Sequence, residues 1–159
     1  MKKNIILTLL ALSLSVLSAS AQQKSYQQYT KNLPFKMEEV KAPVIPSRNV
    51  KLPDFGAKGD GQSLCTDAFA RAIDKLSSMG GGHLIVPSGV WYTGPIVLKS
   101  NIDLHLEKGA IILFAADETL YPLIKTSFEG LDTRRCQSPV SANGAKNISI
   151  TGEGAIDGN

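Results

Sequence analysis

The side chains that can shuttle protons, ligate metals or hold anions are few in this 159-residue chain, and their spacing limits what each can do. His83 and His105 each sit in a strand-like run with no second His or Cys at metal-ligand spacing, so both are read as packing or hydrogen-bonding side chains, and no metal site is expected. The run Asp54-Phe55-Gly56-Ala57-Lys58-Gly59-Asp60-Gly61 has the glycines of a phosphate cradle but lacks the Lys-Ser/Thr of a P-loop. Its Asp60-Gly61 is read as a tight structural turn rather than a calcium ligand, since Gly supplies positive φ and Asp supplies local side-chain bonds. Lys125, Arg134 and Arg135 are the candidate binding residues. They lie in a long, irregular stretch between Asp117 and Ser138, and their cations suit an anionic ligand; solvated surface charge is the competing reading. Cys65 and Cys136 are the only cysteines. One disulfide is open to them in an oxidising compartment, but a single pair is no framework, and unpaired thiols are the simpler expectation. Trp91 and Tyr92, beside Thr93-Gly94-Pro95, are expected to pack at a turn. No grouping calls for a cofactor, and none is expected.

These residues need elements to hold them, and periodicity supplies the outline. Phe69, Ala72, Ile73 and Leu76 stand at i, i+3, i+4 and i+7, one face of a helix over about Thr66 to Met79. Thr66 can cap it, Asp67 suits its positive first turn, and Gly80-Gly81-Gly82 stops it. After this helix the pattern becomes short β-branched or Leu-rich runs: His83 to Val86, Pro95 to Leu98, Ile102 to Leu106, Ala110 to Phe114, Asn147 to Thr151 and Gly154 to Asp157. Each is bounded by Gly, Pro, Asn or Ser, as strands bounded by turns are. The short connections leave no room for the crossover helices of a doubly wound sheet.

The first residues carry an address rather than a fold. Lys2 and Lys3 form a basic start, Ile5 to Leu17 an apolar stretch, and Ala19-Ser20-Ala21 a small-residue cleavage site. This is the pattern of a secretory signal peptide over residues 1–21, and the apolar run falls short of the roughly 20 residues of a bilayer span. Export, to the periplasm or beyond the cell, is therefore expected. Losing Lys2 and Lys3 and no acid lowers the formal net charge from +3 to +1, so the pI near 8.9 overstates the basicity of the mature chain. A near-neutral chain of mixed charge gives no electrostatic case for nucleic acid or an anionic membrane as partner. Residues 22–49, with Pro34, Pro43 and Pro46 and no sustained period, read as an extended leader before a domain at 50–159.

Two of the strand runs resemble each other. Asn101-Ile102-Asp103-Leu104 leads to Gly109-Ala110-Ile111, and Asn147-Ile148-Ser149-Ile150 leads to Gly154-Ala155-Ile156, with a one-residue difference in spacing. Successive rungs of a solenoid have this appearance, although a sandwich or meander would also accommodate one such pair. A solenoid's first coil needs its open end covered, and a single amphipathic helix placed before the strands suits that task.

Several longer runs resemble the N-terminal third of glycoside hydrolase family 28, the polygalacturonases and their relatives. They are Asp54 to Gly61, Val86-Pro87-Ser88-Gly89, Thr93-Gly94-Pro95-Ile96, Leu98-Lys99-Ser100-Asn101, Leu104-His105-Leu106-Glu107-Lys108-Gly109-Ala110 and Ile150-Thr151-Gly152-Glu153-Gly154. The first also opens other pectate-lyase-like proteins and phage tailspikes; the middle runs are more specific. The resemblance implies an all-β fold, a right-handed parallel β-helix with a capping α-helix at its N-terminal end. It implies a pectic polysaccharide, galacturonan or rhamnogalacturonan, as partner and hydrolysis with inversion by a protonated acid and a carboxylate base. The family carries that chemistry on later coils, in an N-x-D run, an Asp-Asp pair, a Gly-His-Gly and an Arg-x-Lys. None of the four runs is expected in this chain: Gly82-His83 lacks the second Gly, no two Asp are adjacent, and Leu123-Ile124-Lys125 lacks the Arg. The chain is therefore expected to be a truncated solenoid without catalytic residues, and its open coil end to favour aggregation. A non-enzymatic carbohydrate-binding or tailspike-like solenoid is the alternative from another class. A pectate lyase is a further one, distinguished by calcium dependence and ultraviolet-absorbing products.

Overall fold

The structure, a computed structural model, describes residues 30, 32–37 and 41–159. The expected signal peptide and part of the leader lie outside the described residues. Pro43–Asn159 form one compact unit; Met1–Ala42 are a separate unit, described only at residues 30, 32–37, 41 and 42.

The compact unit winds through successive coils. The first coil holds β1 (Asn49–Lys51), a 3-10 turn at Leu52–Phe55 and α1 (Thr66–Ser78). Its helix buries Ala68, Phe69, Ala72, Ile73 and Leu76, the face read from the periodicity. Gly81 N–H then bonds to Leu76 O at 2.8 Å and ends it where the glycine run was expected to. Thr66 departs from expectation: Cys65 occupies the cap position, and the Thr66 hydroxyl instead accepts from Gly94 N–H at 2.7 Å, tying the helix start to the next coil.

The second coil consists of β2 (Gly82–Val86), β3 (Gly89–Thr93) and β4 (Ile96–Leu98). The third repeats this with β5 (Ile102–Leu106), β6 (Ala110–Phe114) and, after the hairpin β7 (Leu123–Phe128) and β8 (Leu131–Cys136), β9 (Val140–Ala142). A fourth starts with β10 (Ser149–Gly152) and β11 (Ala155–Asp157). Strands at equivalent places stack in parallel, giving one sheet in the order β1-β2-β5-β10, a second of β3-β6-β11 and a third of β4-β9. This is a parallel β-helix, and mostly strand.

Register explains what is buried. Leu84 lies against Leu104 and Leu104 against Ile150; Trp91 lies against Ile112 and Ile112 against Ile156. Period-2 alternation sends these inward while His83, Asp103 and Ser149 point outward along the same sheet. Trp91 belongs to β3, not to a turn as expected from its neighbours. It is 3% exposed, and its indole N–H finds Pro87 O at 2.8 Å. The internal repeat is real, because Asp103 pairs with Ser149, but its second half is shifted: Ile111 pairs with Ala155, not with Ile156. β10 and β11 are the outer strands of their sheets, and Ile150 and Ile156 remain 49% and 44% exposed.

Corners set the limit on such stacking. Asn101 and Asn147 both take positive φ just before β5 and β10, and the Asn147 amide donates to Asn101 Oδ1 at 3.1 Å. At the opposite end of β10, Gly152 has φ +100°, and a Cβ there would fall on the Leu106 carbonyl oxygen. Gly152→Ala is therefore expected to cost ~2 kcal/mol or more, read as a lower urea midpoint by circular dichroism. An unchanged midpoint would contradict this close approach of coils.

Candidate functional site

Among the described residues, two clusters of candidate polar side chains stand on the outside of the solenoid. The first is the insertion between β6 and β9. It was expected to be irregular, but residues 123–136 form an antiparallel hairpin, closed by Glu129 and Gly130 at φ 51° and 81°. Two consecutive positive-φ residues make the turn that matches strand twist, and Glu in place of Asn or Asp at its first position hid the signal. Side chains are largely exposed on both faces.

Alternation sorts the three basic candidates. Lys125 lies directly opposite Arg134, so these two share a face; Arg135 lies opposite Ile124 on the other. There Arg135 stacks over the Phe128 ring, with its guanidinium carbon 4.5 Å from the centroid. Arg134 also reaches Leu123 O at 3.4 Å. A shallow groove of about 570 Å³ is lined by Lys125, Thr126, Asp132, Thr133 and Arg134. Two cations at its wall suit an anionic ligand, and Arg135 is not part of it.

The second cluster centres on Asp103, which points outward from β5 yet is 2% exposed. His83 Nδ1 lies 2.8 Å from Oδ2, the Ser149 hydroxyl donates to Oδ1 at 2.7 Å, and the Thr151 hydroxyl donates to Oδ2 at 2.9 Å. His105 Nδ1 meets Thr151 Oγ1 at 2.7 Å and lies 3.9 Å from Oδ2. Three coils thus converge on one carboxylate. Both histidines have the hydrogen-bonding role expected of them. Asp103, Ser149 and Thr151 were not singled out, although stacking the repeat Asn101-Ile102-Asp103-Leu104-His105 on Asn147-Ile148-Ser149-Ile150-Thr151 brings them together.

One correction concerns the catalytic motifs. Asn101-Ile102-Asp103 does satisfy N-x-D, so the expectation that this chain contains none of the four runs fails on that point. The bonded partners of Asp103 are imidazole and hydroxyls, not the second carboxyl group that inverting hydrolysis uses. No group of three or more His, Cys, Asp or Glu able to hold a metal occurs among the described residues.

Asp60 closes a tight turn. Oδ1 accepts from the N–H groups of Gln62 and Ser63 at 2.9 and 2.8 Å, Oδ2 accepts from the Ser63 hydroxyl, and the segment bridges to Val90 in β3. Cys65 is buried and Cys136 exposed, and both are unpaired. Burial pushes the Cys65 thiol above its ordinary pKa.

The stacked parallel sheets place the chain with the pectin lyase-like β-helix proteins. A probable polygalacturonase of Vitis vinifera is 38% identical over 121 residues, covering 70% of this chain and 25% of the relative. An exo-poly-alpha-D-galacturonosidase of Dickeya chrysanthemi is 36% identical over 118 residues, covering 69% and 19%. Among solved structures, a hyperthermoactive exopolygalacturonase from Thermotoga maritima superposes with a TM-score of 0.71 at 49% identity, covering 76% of this chain and 27% of that one. No protein-family profile matches the chain. The chain is thus homologous, over most of its length, to polygalacturonases and exopolygalacturonases of glycoside hydrolase family 28. It spans about a quarter of the length of these relatives.

Two outcomes are expected from this geometry. One thiol, Cys136, should react with a disulfide reagent in the native chain and two in denaturant; two fast native thiols would contradict the burial of Cys65. The Ser63 and Gln62 N–H groups and the Ser63 hydroxyl hold Asp60 down at about 2. A depressed folded pKa stabilises above the ordinary carboxylate value near ~3.9 and loses that stabilisation as pH falls through about 2. Asp60→Asn should therefore flatten the fall in thermal midpoint over that acid window. An unaltered acid limb would show that the turn contributes nothing.

Proposed function

We propose that this chain is the exported front part of a pectin-directed glycoside hydrolase of polygalacturonase type. It supplies the first coils of a right-handed β-helix whose inverting acid–base pair lies on further coils. The observation that carries the reading is 49% identity to an exopolygalacturonase across three-quarters of the chain, with the corner glycines and asparagines in a working stack. In this reading α1 caps the first coil, laying Phe69, Ile73 and Leu76 over the open end of the apolar stack. Residues 1–21 direct export, which brings the protein to an extracellular polymer.

The substrate class follows from charge. A galacturonan carries a carboxylate on each sugar, and the Lys125–Arg134 pair provides two adjacent cations on one hairpin face. Inverting hydrolysis needs two carboxyl groups about 6.5–9.5 Å apart, one protonating the leaving oxygen and one activating water. Asp103 is engaged by three donors and acts instead as a structural and positioning group.

The 159-residue chain is therefore expected to bind oligogalacturonate without releasing reducing ends. Arg134→Ala and Lys125→Ala should each weaken binding by about 2- to 5-fold, the range for solvent-exposed charge pairs, in a calorimetric titration. Arg135→Ala, on the opposite face, should leave it unchanged. Sugar release by the purified chain would overturn the division of scaffold from chemistry, and equal losses for all three variants would overturn the assignment to one face.

A further inference from the structure

We infer that the outer face of the β1-β2-β5-β10 sheet is a hydroxyl-binding subsite for a carbohydrate chain, with the Nε2 atoms of His83 and His105 as hydrogen-bond acceptors. The ligand class rests on the pectin reading above; the acceptors rest on counting protons.

An ionised carboxylate accepts hydrogen bonds and donates none. Asp103 therefore requires a proton from every partner it meets. Ser149 directs its hydroxyl proton to Oδ1, and Thr151 directs its only hydroxyl proton to Oδ2. With that proton committed, Thr151 can only accept at its 2.7 Å contact with His105, so His105 Nδ1 carries hydrogen. His83 Nδ1, 2.8 Å from Oδ2, carries hydrogen for the same reason. In its neutral form each imidazole has one N–H, which then leaves Nε2 of both rings as a bare lone pair. Neither Nε2 has a hydrogen-bond partner among the described residues, and the two side chains are 31% and 37% exposed.

The arrangement is built rather than incidental. The carboxylate at its centre is buried, and its donors come from β2 and β10 on either side of β5. The relay through Thr151 holds the second ring. Two imidazoles oriented by one buried acid, each with its outward nitrogen unprotonated, match a ligand offering O–H donors along an extended chain. A polysaccharide has that chemistry. The face is also separate from the Lys125–Arg134 groove, whose cations suit carboxylates.

The test is imidazole nitrogen NMR on the ¹⁵N-labelled 159-residue chain at about pH 8, well above the ordinary imidazole pKa. Both rings are expected as the Nδ1–H tautomer, and added oligogalacturonate should move both Nε2 signals. Thr151→Val removes the acceptor for His105 Nδ1–H; His105 should then populate the Nε2–H form, and affinity should fall about 5-fold, one hydrogen bond's worth. An Nε2–H tautomer at either ring in the unaltered chain overturns the inference without needing any variant. Oligogalacturonate that moves Lys125 and Arg134 signals while the imidazoles stay still also overturns it and leaves the polygalacturonase reading standing. If no signal moves anywhere, that reading falls and takes this one with it.

Discussion

Backbone hydrogen bonding between successive coils is the interaction on which the rest of this structure depends. Each strand of one coil must land in line with its counterpart in the next, because a parallel ladder shifted by one residue would turn the apolar stack to solvent. In-register stacking is possible only if the chain can turn sharply at every corner. That explains the left-handed Asn101 and Asn147 before two sheet strands, and Gly81 and Gly152, where a side chain would strike the neighbouring coil's backbone. Corner residues are few, but they set the register of everything between them.

Once register is set, alternation assigns each side chain its environment. Leu84, Leu104, Trp91 and Ile112 are buried in one core with α1, and no polar atom among the described buried side chains lacks a partner. The intervening positions face outward, which is how Asp103 comes to lie between His83 and Ser149. The same alternation acts in the hairpin, where neighbours in sequence become residents of opposite faces. Arg134 joins Lys125, while Arg135 joins Phe128.

The division of labour in the chain follows from the same geometry. The first coils contain the helix and the buried cluster that runs from Leu52 to Phe114. The groups proposed to recognise ligand sit on outward positions and on the hairpin insertion, where replacing a side chain does not disturb the stack. Asp103 joins the two roles: its carboxylate ties three coils together and at the same time fixes two imidazoles.

Much of the fold was legible in the residues. The helix face at Phe69, Ala72, Ile73 and Leu76, its glycine stop, the strand runs at His83, Ile102 and Ala110, and the Asn101/Asn147 repeat all follow from local rules, because periodicity and turn chemistry act over a few residues. The Asp60 turn was legible for the same reason. Other features needed the tertiary structure. β3 was masked by a Trp beside a Gly-Pro turn, and the hairpin by a Glu in its turn. Which strand stacks on which, the shift that sets Ile111 against Ala155, and the meeting of His83, Asp103, Ser149 and Thr151 across 20 to 68 residues were decided by coil geometry. Local sequence specifies where the chain can bend and which face is apolar, but contacts between coils depend on the length of each whole circuit, which no short window contains.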